Sequence, residues 1–509
     1  MDRRRFLASS AALMATSALP GSGQSSAPSH GFPPSVVHPD SYIEKVPIDG
    51  YHNAPASSYE AFRDMKFGIR IHWGIYSIWH RGAESWPFLP MSLEDRQAYN
   101  QLYKTWNPSG FDAESWMSLF AESGMKMFAF TTKHHEGFSM FDTKTRVKSR
   151  TNWTAPGWPA IEECDLAYSI METPFRRDIV KELCDAAHKR DIKIDLYFSH
   201  PDWYDADFRP YGPHPLQTIS SAQSMAQHDF KAAEARFGDH LVVMPETTDA
   251  EVKRMMGRHR AQLLELLSNY GRIDMMCLDM SLGPRVWPEL RTTLLKMREV
   301  QPDVMLRNRG IDNYGDYYTP ERVVPGSNDD SEKPWFCIYP LGSDFSYEPD
   351  AAKYKGTAWI VTNLVDTVAK GGGLMVGVGP SAHGEFHPEA ARQMRETGKW
   401  LEVNGEAIYS TRPRQGEKWS EGDAVRFTRT KDNRFVYAIL TQWPGAELTL
   451  KSVQPKAGSK VTLLGSKAAL KWAFDAAKGT TIVMPENLQQ ASNRPCEYAW
   501  SLKIEPVEA

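Results

Sequence analysis

Residues 175–199, FRRDIVKELCDAAHKRDIKIDLYFS, place an amphipathic helix directly before a strand. Phe175, Ile179 and Leu183 recur at helical spacing on one face. Residues 192–199 form a largely apolar run of strand length, as expected for a strand covered on both faces. Further buried strands are predicted at 66–74, 125–135, 273–280, 303–310 and 374–380. This alternation over residues 59–412 predicts an α/β fold, a parallel sheet closed as a (β/α)8-like TIM barrel.

A doubly wound open sheet is the alternative architecture for such an alternation. Proteins with that sheet usually carry a GxGxxG fingerprint or a phosphate-binding loop after the first strand. Here the first strand is followed by HWGIYSIW, residues 72–79, which contains neither motif. The sequence therefore favours the barrel.

The pattern changes in the last hundred residues. Residues 413–509 contain short alternating stretches such as RFVYAIL and TTIVMP, separated by Gly, Pro, Asn and Asp. Short strands of period two, punctuated by turn residues, are typical of an antiparallel β-sandwich. We therefore expect a C-terminal β-sandwich after the barrel.

The first residues have the layout of an export signal. Residues 1–24, MDRRRFLASSAALMATSALPGSGQ, combine three arginines, a short apolar stretch and a small-residue exit, as in a secretory signal. The order Arg-Arg-x-Phe-Leu resembles a twin-arginine signal, which predicts a periplasmic or secreted protein. Residues 25–58 are expected to be a linker or a segment that wraps the barrel. No other window is long and apolar enough to predict a membrane span.

Composition excludes several classes of function. The 509 residues carry 59 Lys and Arg against 63 Asp and Glu, a net charge of −4, so no basic surface indicates nucleic acid as a partner. Five scattered cysteines without a CxxC pair indicate neither a zinc site nor a disulfide framework. The oligomeric state cannot be derived from these features.

Polar side chains follow five of the predicted strands. Because TIM barrels build their active sites at the carboxyl ends of the strands, we expect these residues to share one rim. Imidazoles, guanidinium groups and aromatic faces together suit a small polyhydroxylated ligand. The strand ends concerned are His72–Gly74, Lys133–Phe138, Tyr197–His200, Asp279 and Arg307–Arg309.

Some of these residues also have a purely structural interpretation. His72 alone is typical of a hydrogen-bonded histidine at a strand end. His134 and His135 could bind a metal ion, but neighbours on a strand point to opposite faces, and the HExxH spacing is absent. Asp279 indicates function most strongly, because a carboxylate at the end of an apolar strand is costly to bury unless it is paired.

Seven ordered motifs carry a resemblance to a known family. Together they resemble the α-L-fucosidases of glycoside hydrolase family 29 over residues 59–413. The resemblance implies a (β/α)8-like barrel with a C-terminal sandwich and hydrolysis of terminal α-L-fucosides with retention. It also implies no metal and no organic cofactor, with a fucosylated oligosaccharide or glycan as the partner. The motifs are FRDMKFGIRIHWGIYSI (62–78), FTTKHHEGF (130–138), RRDIVKELCDAAHKRDIKIDLYFSHPDW (176–203), YGRIDMMCLDM (270–280), TPE (319–321), LVDTVAKGGGLMVGVGP (364–380) and WLEVNGEAIYSTRP (400–413).

The resemblance implies a nucleophile at Asp279 and an acid/base at Glu321, twelve residues after Arg309. A second family motif, Pro-Trp-Glu, has Phe336 at its Glu position, which strengthens Glu321, with Glu332 as a more distant candidate. An acid must hold its proton, so we expect a raised pKa at Glu321. The substrate-binding residues expected from the resemblance and the strand ends are His72, Glu84, Trp86, His134, His135, Tyr197, Arg309 and Phe345.

The sequence departs from the family pattern close to the nucleophile. Cys277 replaces a Trp, Met280 replaces a Gly and Gly377 replaces an Asn of the family motifs. These changes leave open an α-L-galactosidase or a related L-sugar hydrolase, because an apolar pocket rejects an added hydroxyl only weakly. A catalytically silent carbohydrate-binding protein is the alternative outside the enzymes. Trp73 and Trp203 are also expected to lie along the path of the sugar.

Overall fold

The computed structural model describes residues 47–89, 91–156, 159–209, 214–216, 247–325, 333–414, 416, 418–466 and 468–507. These residues belong to one compact unit. The expected export signal, most of the 25–58 segment and Glu332 lie outside the described residues. No helix in the described part of the chain is long and apolar enough to cross a membrane.

Seven parallel strands form the sheet of the first domain, which confirms the expected barrel-like fold. They are β1 Phe67–Ile71, β2 Met127–Lys133, β5 Lys193–Ser199, β6 Met275–Asp279, β7 Met305–Leu306, β8 Phe336–Pro340 and β9 Gly373–Gly377. Their order in the sheet is β7-β6-β5-β2-β1-β9-β8. Between β2 and β5 the chain forms the hairpin of β3 Val147–Asn152 and β4 Ala160–Leu166.

Helices cover the outside of this sheet. Strands β1, β2, β6 and β9 are buried at every position, as parallel strands between a filled barrel and a helix layer must be. The helices in the described ranges are α1 Ala56–Met65, α2 Tyr76–Trp79, α3 Leu93–Tyr99, α4 Ala113–Glu122, α5 Ile179–His188, α6 Asp249–Ser268, α7 Trp287–Val300, α8 Thr357–Ala369 and α9 Pro388–Asn404.

Helix α5 shows how the sequence sets a boundary. Ile179 and Leu183 are buried as the pattern predicts. The helix begins only after Asp178, whose side chain accepts a hydrogen bond from the backbone of Lys181 at 2.9 Å. This N-cap excludes Phe175 from the helix, because the capping residue has extended backbone.

An irregular segment completes the barrel between β7 and β8. Tyr317 forms a parallel bridge with Arg307 after β7, and Tyr318 and Glu321 form parallel bridges with Trp335 and Ile338 at β8. The segment therefore occupies the position of an eighth strand without regular pairing. It also brings Glu321 to the same end of the barrel as Asp279.

The second domain is an antiparallel sandwich, as expected. Its strand order is β10-β12-β13-β18-β15-β16-β17-β14, with β11 paired to β12, and its core contains Phe427, Leu463 and Trp500. Arg426 of this domain donates to Asp366 of α8 at 2.7 Å and so ties the sandwich to the barrel. The strands are β10 Thr411–Pro413, β11 Ser420–Glu421, β12 Val425–Thr430, β13 Val436–Leu440, β14 Glu447–Leu450, β15 Val461–Leu463, β16 Ala469–Asp475, β17 Gly479–Val483 and β18 Trp500–Ile504.

Candidate active site

Asp279 ends β6 and is the most fully paired carboxylate at the barrel mouth. One oxygen, Oδ2, accepts a hydrogen bond from the Tyr197 hydroxyl at 2.8 Å. The other, Oδ1, accepts from Arg309 at 2.9 Å and from Arg307 at 3.5 Å. Burial alone would raise the pKa of Asp279, but the charges of Arg309 and Arg307 and the hydrogen bond from Tyr197 together hold that pKa well below its usual value. Asp279 is therefore an ionised carboxylate in a buried position.

Glu321 shares both arginines with Asp279. Its Oε1 accepts from Arg309 Nη2 at 2.5 Å and from Arg307 Nη2 at 3.2 Å. A single guanidinium group, that of Arg309, thus bridges the two carboxylates. The Glu321 side chain is 35% exposed, against 11% for Asp279, so Glu321 lies on the solvent side of the pair.

The expected raised pKa of Glu321 is wrong for the free protein. Burial and the charge of Asp279 raise this pKa, but the guanidinium groups of Arg309 and Arg307 outweigh them and lower it. Both arginines stand at the predicted strand end Arg307–Arg309, but the sequence does not show that their guanidinium groups contact Glu321. Glu321 is consequently an anion whenever both arginines remain in contact with it.

Three histidines line the wall beside Asp279. His134 Nδ1 is hydrogen-bonded to the Ser85 hydroxyl, and His135 Nδ1 to the Ser199 hydroxyl at 2.6 Å. Burial lowers the pKa of His134 to about 3 and that of His72 and His135 well below the usual value. The three rings are therefore neutral and can direct a donor or an acceptor at a ligand.

Two buried polar atoms of the predicted site lack a hydrogen-bond partner. These are His72 Nδ1 and Glu84 Oε1, each with no partner in the described part of the chain. Burial, with the charges of Asp344 and Glu321, raises the pKa of Glu84 well above its usual value, so this side chain is a neutral acid. Since buried polar groups are normally satisfied, the two atoms are available to bind a polar ligand.

Aromatic side chains form the apolar part of the site. The centroids of the Phe345 and His72 rings lie 5.0 Å apart, and those of the Trp86 and His135 rings lie 4.8 Å apart. The departure at Gly377 has a steric reason, because a Cβ there would lie 2.4 Å from Phe345. Glycine at position 377 therefore leaves room for the Phe345 ring.

Not every expected aromatic reaches the site. Trp73 is fully buried and donates its ring nitrogen to the backbone oxygen of Ser381 at 2.9 Å, and Trp203 is 1% exposed. The Trp73 ring belongs to the core, which corrects the expectation that it lies along the sugar path. The Trp203 ring packs against Trp86 and His135, with ring centroids 5.6 and 5.3 Å apart, so its expected place stays a prediction. A position near a strand end suggested contact with the sugar, but it does not distinguish residues at the rim of the barrel from residues in the core below the rim.

Several residues support the site although they are not among the expected substrate-binding residues. Ser85 and Ser199 orient the histidines, and Arg70 of β1 and Arg307 after β7 both donate to Cys277 inside the barrel. Their roles depend on the register between strands, which pairs Ser199 with Asp279 and Tyr197 with Cys277. Across the described ranges, no three His, Cys, Asp or Glu side chains cluster as a metal ion would require.

A carboxylate pair at the mouth of a (β/α)-type barrel, followed by a β-sandwich, defines an enzyme of the glycoside hydrolase class. Two family models match the chain: α-L-fucosidase over residues 49–406 and the α-L-fucosidase C-terminal domain over residues 419–505. The chain belongs to the α-L-fucosidase family.

Known relatives agree with this assignment. The human tissue α-L-fucosidase is 28% identical over 470 residues, covering 88% of this chain and 89% of the relative. α-L-Fucosidase isoenzyme 1 from Paenibacillus thiaminolyticus has a similar structure, with a TM-score of 0.68 and 25% identity, over 89% of this chain and 99% of that one. A family 29 α-L-fucosidase of Bacteroides thetaiotaomicron, solved as a trapped covalent intermediate with 2-fluoro-fucosyl fluoride, shares the fold with a TM-score of 0.68 and 23% identity, over 90% and 100% of the two chains.

Proposed function

We propose that this protein is a retaining exo-α-L-fucosidase in which Asp279 is the nucleophile and Glu321 the acid/base. The observation that carries the proposal is the bridge of Arg309 between the two carboxylates. A retaining glycosidase needs two carboxyl groups close together, one ionised and one able to gain and lose a proton. Asp279 has the stronger ion pairing, and Glu321 has the greater access to solvent and to a leaving group.

The reaction then proceeds in two displacements. The Asp279 carboxylate attacks the anomeric carbon while protonated Glu321 donates its proton to the glycosidic oxygen, which leaves as an alcohol. The resulting glycosyl ester is broken by water, whose proton returns to Glu321 as the oxygen bonds the anomeric carbon. Tyr197 and Arg309 stabilise the departing Asp279 carboxylate through their hydrogen bonds.

Glu321 has to take up a proton before the first step. A sugar hydroxyl that accepts a hydrogen bond from Arg309 would compete with the Arg309–Glu321 contact. Loss of that contact would raise the pKa of Glu321 in the complex, because the nearest cation would then be shared with the ligand. Substrate binding itself would thus prepare the acid.

The remaining predicted residues fit the sugar. His72, His134, His135 and Glu84 would hydrogen-bond the ring hydroxyls, and Trp86 would border the same pocket. Phe345 would pack against the C6 methyl group, which distinguishes fucose from L-galactose. This apolar contact is the reason to prefer an α-L-fucoside over an α-L-galactoside, although one hydroxyl is discriminated only modestly.

Two aryl glycosides and two variants test the assignment. Wild-type protein should release 4-nitrophenol from the α-L-fucoside faster than from the α-L-galactoside. Asp279→Gly should lose activity by at least about a thousandfold and still bind a fucose-configured iminosugar. As a matched control, Asp274→Asn changes a carboxylate just before the same strand and should keep full activity.

Azide assigns the two roles by stereochemistry. In Glu321→Ala, azide should restore turnover of the aryl fucoside and give α-fucosyl azide, because it attacks the glycosyl-enzyme. In Asp279→Gly, it would give β-fucosyl azide by direct displacement. The opposite pattern of products would reverse the two assignments. No turnover of either aryl glycoside by wild-type protein would favour the silent carbohydrate-binding alternative.

Export through the twin-arginine route is part of the proposal. It is supported by the Arg-Arg-x-Phe-Leu sequence at residues 3–7 and the short apolar stretch after it. Fractionation of cells that produce the full chain should recover activity outside the cytoplasm. Arg3→Lys and Arg4→Lys together should retain the protein inside the cell, since the signal depends on the arginine pair.

A further inference from the structure

A group of buried polar residues lies inside the barrel below the carboxylate pair. None of them belongs to the substrate-binding set, and each is at most 2% exposed. We call this group the interior cluster. Its members are Arg70 of β1, Asp195 of β5, Cys277 of β6, Arg307 after β7 and Tyr317 of the irregular segment.

Cys277 joins the two arginines of the interior cluster. Its sulfur accepts a hydrogen bond from Arg70 Nη1 at 2.9 Å and from Arg307 Nη1 at 3.1 Å. Cys277 precedes Asp279 by two residues on β6, so the two side chains lie on the same face of the strand. The sulfur is therefore a fixed acceptor directly below the carboxylate of Asp279.

Arg307 contacts both reactive carboxylates, whereas Arg70 is connected to Asp279 only through Tyr197. Arg307 contacts Asp279 at 3.5 Å and Glu321 at 3.2 Å. The Arg70 guanidinium lies 4.6 Å from the centre of the Tyr197 ring, and the Tyr197 hydroxyl donates to Asp279. Cys277 is thus connected to Asp279 in two ways, through Arg307 directly and through Arg70 and Tyr197.

Asp195 supplies the opposing charge. Both of its oxygens lie 3.2 Å from the Tyr317 hydroxyl, and it lies close enough to Arg70 and Arg307 for their charges to lower its pKa. Burial has the larger effect and raises the pKa of Asp195 to about 6. Two fully buried arginines are costly for stability compared with apolar side chains of similar volume, so packing alone does not account for them.

We propose that Arg70, Cys277 and Arg307 form a positioning layer that holds Asp279 and Glu321 in their reactive orientation and adds a second cation to Arg309. None of the three needs to touch the sugar. The proposal deepens the assigned function, because it rests on Asp279 and Glu321 as the reacting carboxylates. It gives Cys277, a departure from the family pattern, a defined role as a joint between the two arginines.

The pH profile is a readout that a purely structural role would not move. In Arg307→Met both carboxylates lose a cationic neighbour, so both of their pKa values rise. The other cations around them are Arg309 and Arg70, and the Tyr197 hydroxyl donates to Asp279. Glu84 faces Glu321 as a neutral acid, because burial raises its pKa well above the usual value. The histidines that face them, His72, His134, His135 and His200, are neutral because burial lowers their pKa values.

The central experiment compares Arg307→Met with Arg307→Lys on the aryl fucoside. In Arg307→Met the alkaline limb of kcat/KM should move up by about one pH unit, and kcat should fall about tenfold or more. Arg307→Lys restores the charge without the planar fork of donors. In Arg307→Lys the alkaline limb of kcat/KM should return toward the wild-type position, while kcat stays low.

Two variants of Cys277 test whether its sulfur holds Arg70 and Arg307 in place. Cys277→Ser keeps an acceptor for both guanidinium groups and should retain kcat within about threefold of the wild type. Cys277→Ala leaves both donors without that acceptor, and kcat should fall further while KM changes little. Arg412→Met is the matched control, since Arg412 is a buried arginine that pairs with Asp64 and Glu60 of α1. It should lower Tm without moving the alkaline limb.

The outcomes separate this proposal from the assigned function. A folded Arg307→Met variant with an unchanged alkaline limb would refute the positioning layer, as would Cys277→Ala with wild-type kcat. An inactive wild type would instead refute the assigned function. In that case the pH dependence of iminosugar binding, measured by calorimetry in wild-type protein and Arg307→Met, still reports whether Arg307 acts on Asp279. Identical dependences in the two proteins would overturn the proposal.

Discussion

Glu321 accepts a hydrogen bond from Arg309 at 2.5 Å, so the proposed acid of the reaction is held as an anion in the free protein. The same guanidinium group binds the proposed nucleophile, Asp279, through its other nitrogen. The arrangement favours ionisation of both carboxylates before a ligand arrives. Catalysis by such a site depends on how readily one of them becomes protonated.

The first prediction is that kcat/KM decreases as pH rises from mildly acidic toward neutral. The arginines lower the pKa of Glu321 in the free protein, and kcat/KM reports the free protein's ionisations. Above that pKa the protonated fraction falls about tenfold for each pH unit. The pH dependence is measured as kcat/KM on the aryl fucoside from pH 3 to 8. The Tm over the same range checks that the protein stays folded. A profile that stays flat up to pH 8 would contradict the ion-pair account.

A second prediction concerns the contact between Gly377 and Phe345. A methyl group at 377 would lie 2.4 Å from the Phe345 ring, so Gly377→Ala should push this ring toward His72. We expect KM for the aryl fucoside to rise about fivefold or more, with a smaller change in kcat, since the ring forms only the apolar wall. Steady-state kinetics give both constants.

The control for this substitution is Gly257→Ala. Gly257 lies within α6, and an added Cβ would meet no atom within 4 Å. Alanine there should raise Tm slightly, because glycine costs about 1 kcal/mol in a helix interior, and should leave KM unchanged. Unchanged KM in Gly377→Ala would show that Phe345 does not border the sugar.

The sequence was sufficient for the fold and for one carboxylate. Apolar strands alternating with amphipathic helices predict the parallel sheet, and a lone acidic residue at the end of an apolar strand marks Asp279. Glu321 was found only through the family resemblance. Its segment bridges β7 and β8 without regular pairing, so no apolar run of strand length reveals it as part of the barrel.

The electrostatics of the site could not be predicted. The pKa of Glu321 depends on Arg307 as well as Arg309, and β7 is only two residues long. Which side of so short a strand faces the barrel interior is not visible in the sequence. The contact of Cys277 with both Arg70 and Arg307 likewise joins residues from three separate parts of the chain, and it forms only when the sheet curls.

A third prediction concerns the hydrogen bond between His135 and Ser199. The Ser199 hydroxyl donates to the Pro201 backbone oxygen at 3.1 Å, so it accepts from His135 Nδ1 and keeps the proton of the neutral ring on that nitrogen. Ser199→Ala should weaken binding of a fucose-configured iminosugar about tenfold, since the ring can then present the wrong tautomer. Ser199→Thr keeps the hydroxyl and should bind nearly as well as wild type. Equal affinities for all three proteins would contradict a role of Ser199 in orienting His135.

The last prediction concerns stability at the other end of the barrel, where Lys66 precedes β1. Its amino group is buried with no hydrogen-bond partner in the described ranges. Burial, assisted by Arg412 and Arg63 and opposed by Asp64 and Glu60, lowers the pKa of Lys66 to about 7. An unfolded lysine titrates near 10.4. Between these two values the unfolded chain binds a proton that the folded chain does not, so the free energy of unfolding should rise with pH.

Lys66→Met should remove this dependence, because the variant has no buried amine to charge. We expect its Tm to exceed that of the wild type by roughly a few degrees at pH 6 and the difference to shrink as pH approaches 10. The exposed Lys399 of α9 supplies the control, since Lys399→Met should leave the pH dependence of Tm unchanged. A constant Tm difference between wild type and Lys66→Met from pH 6 to 10 would mean that Lys66 keeps its proton in the folded protein.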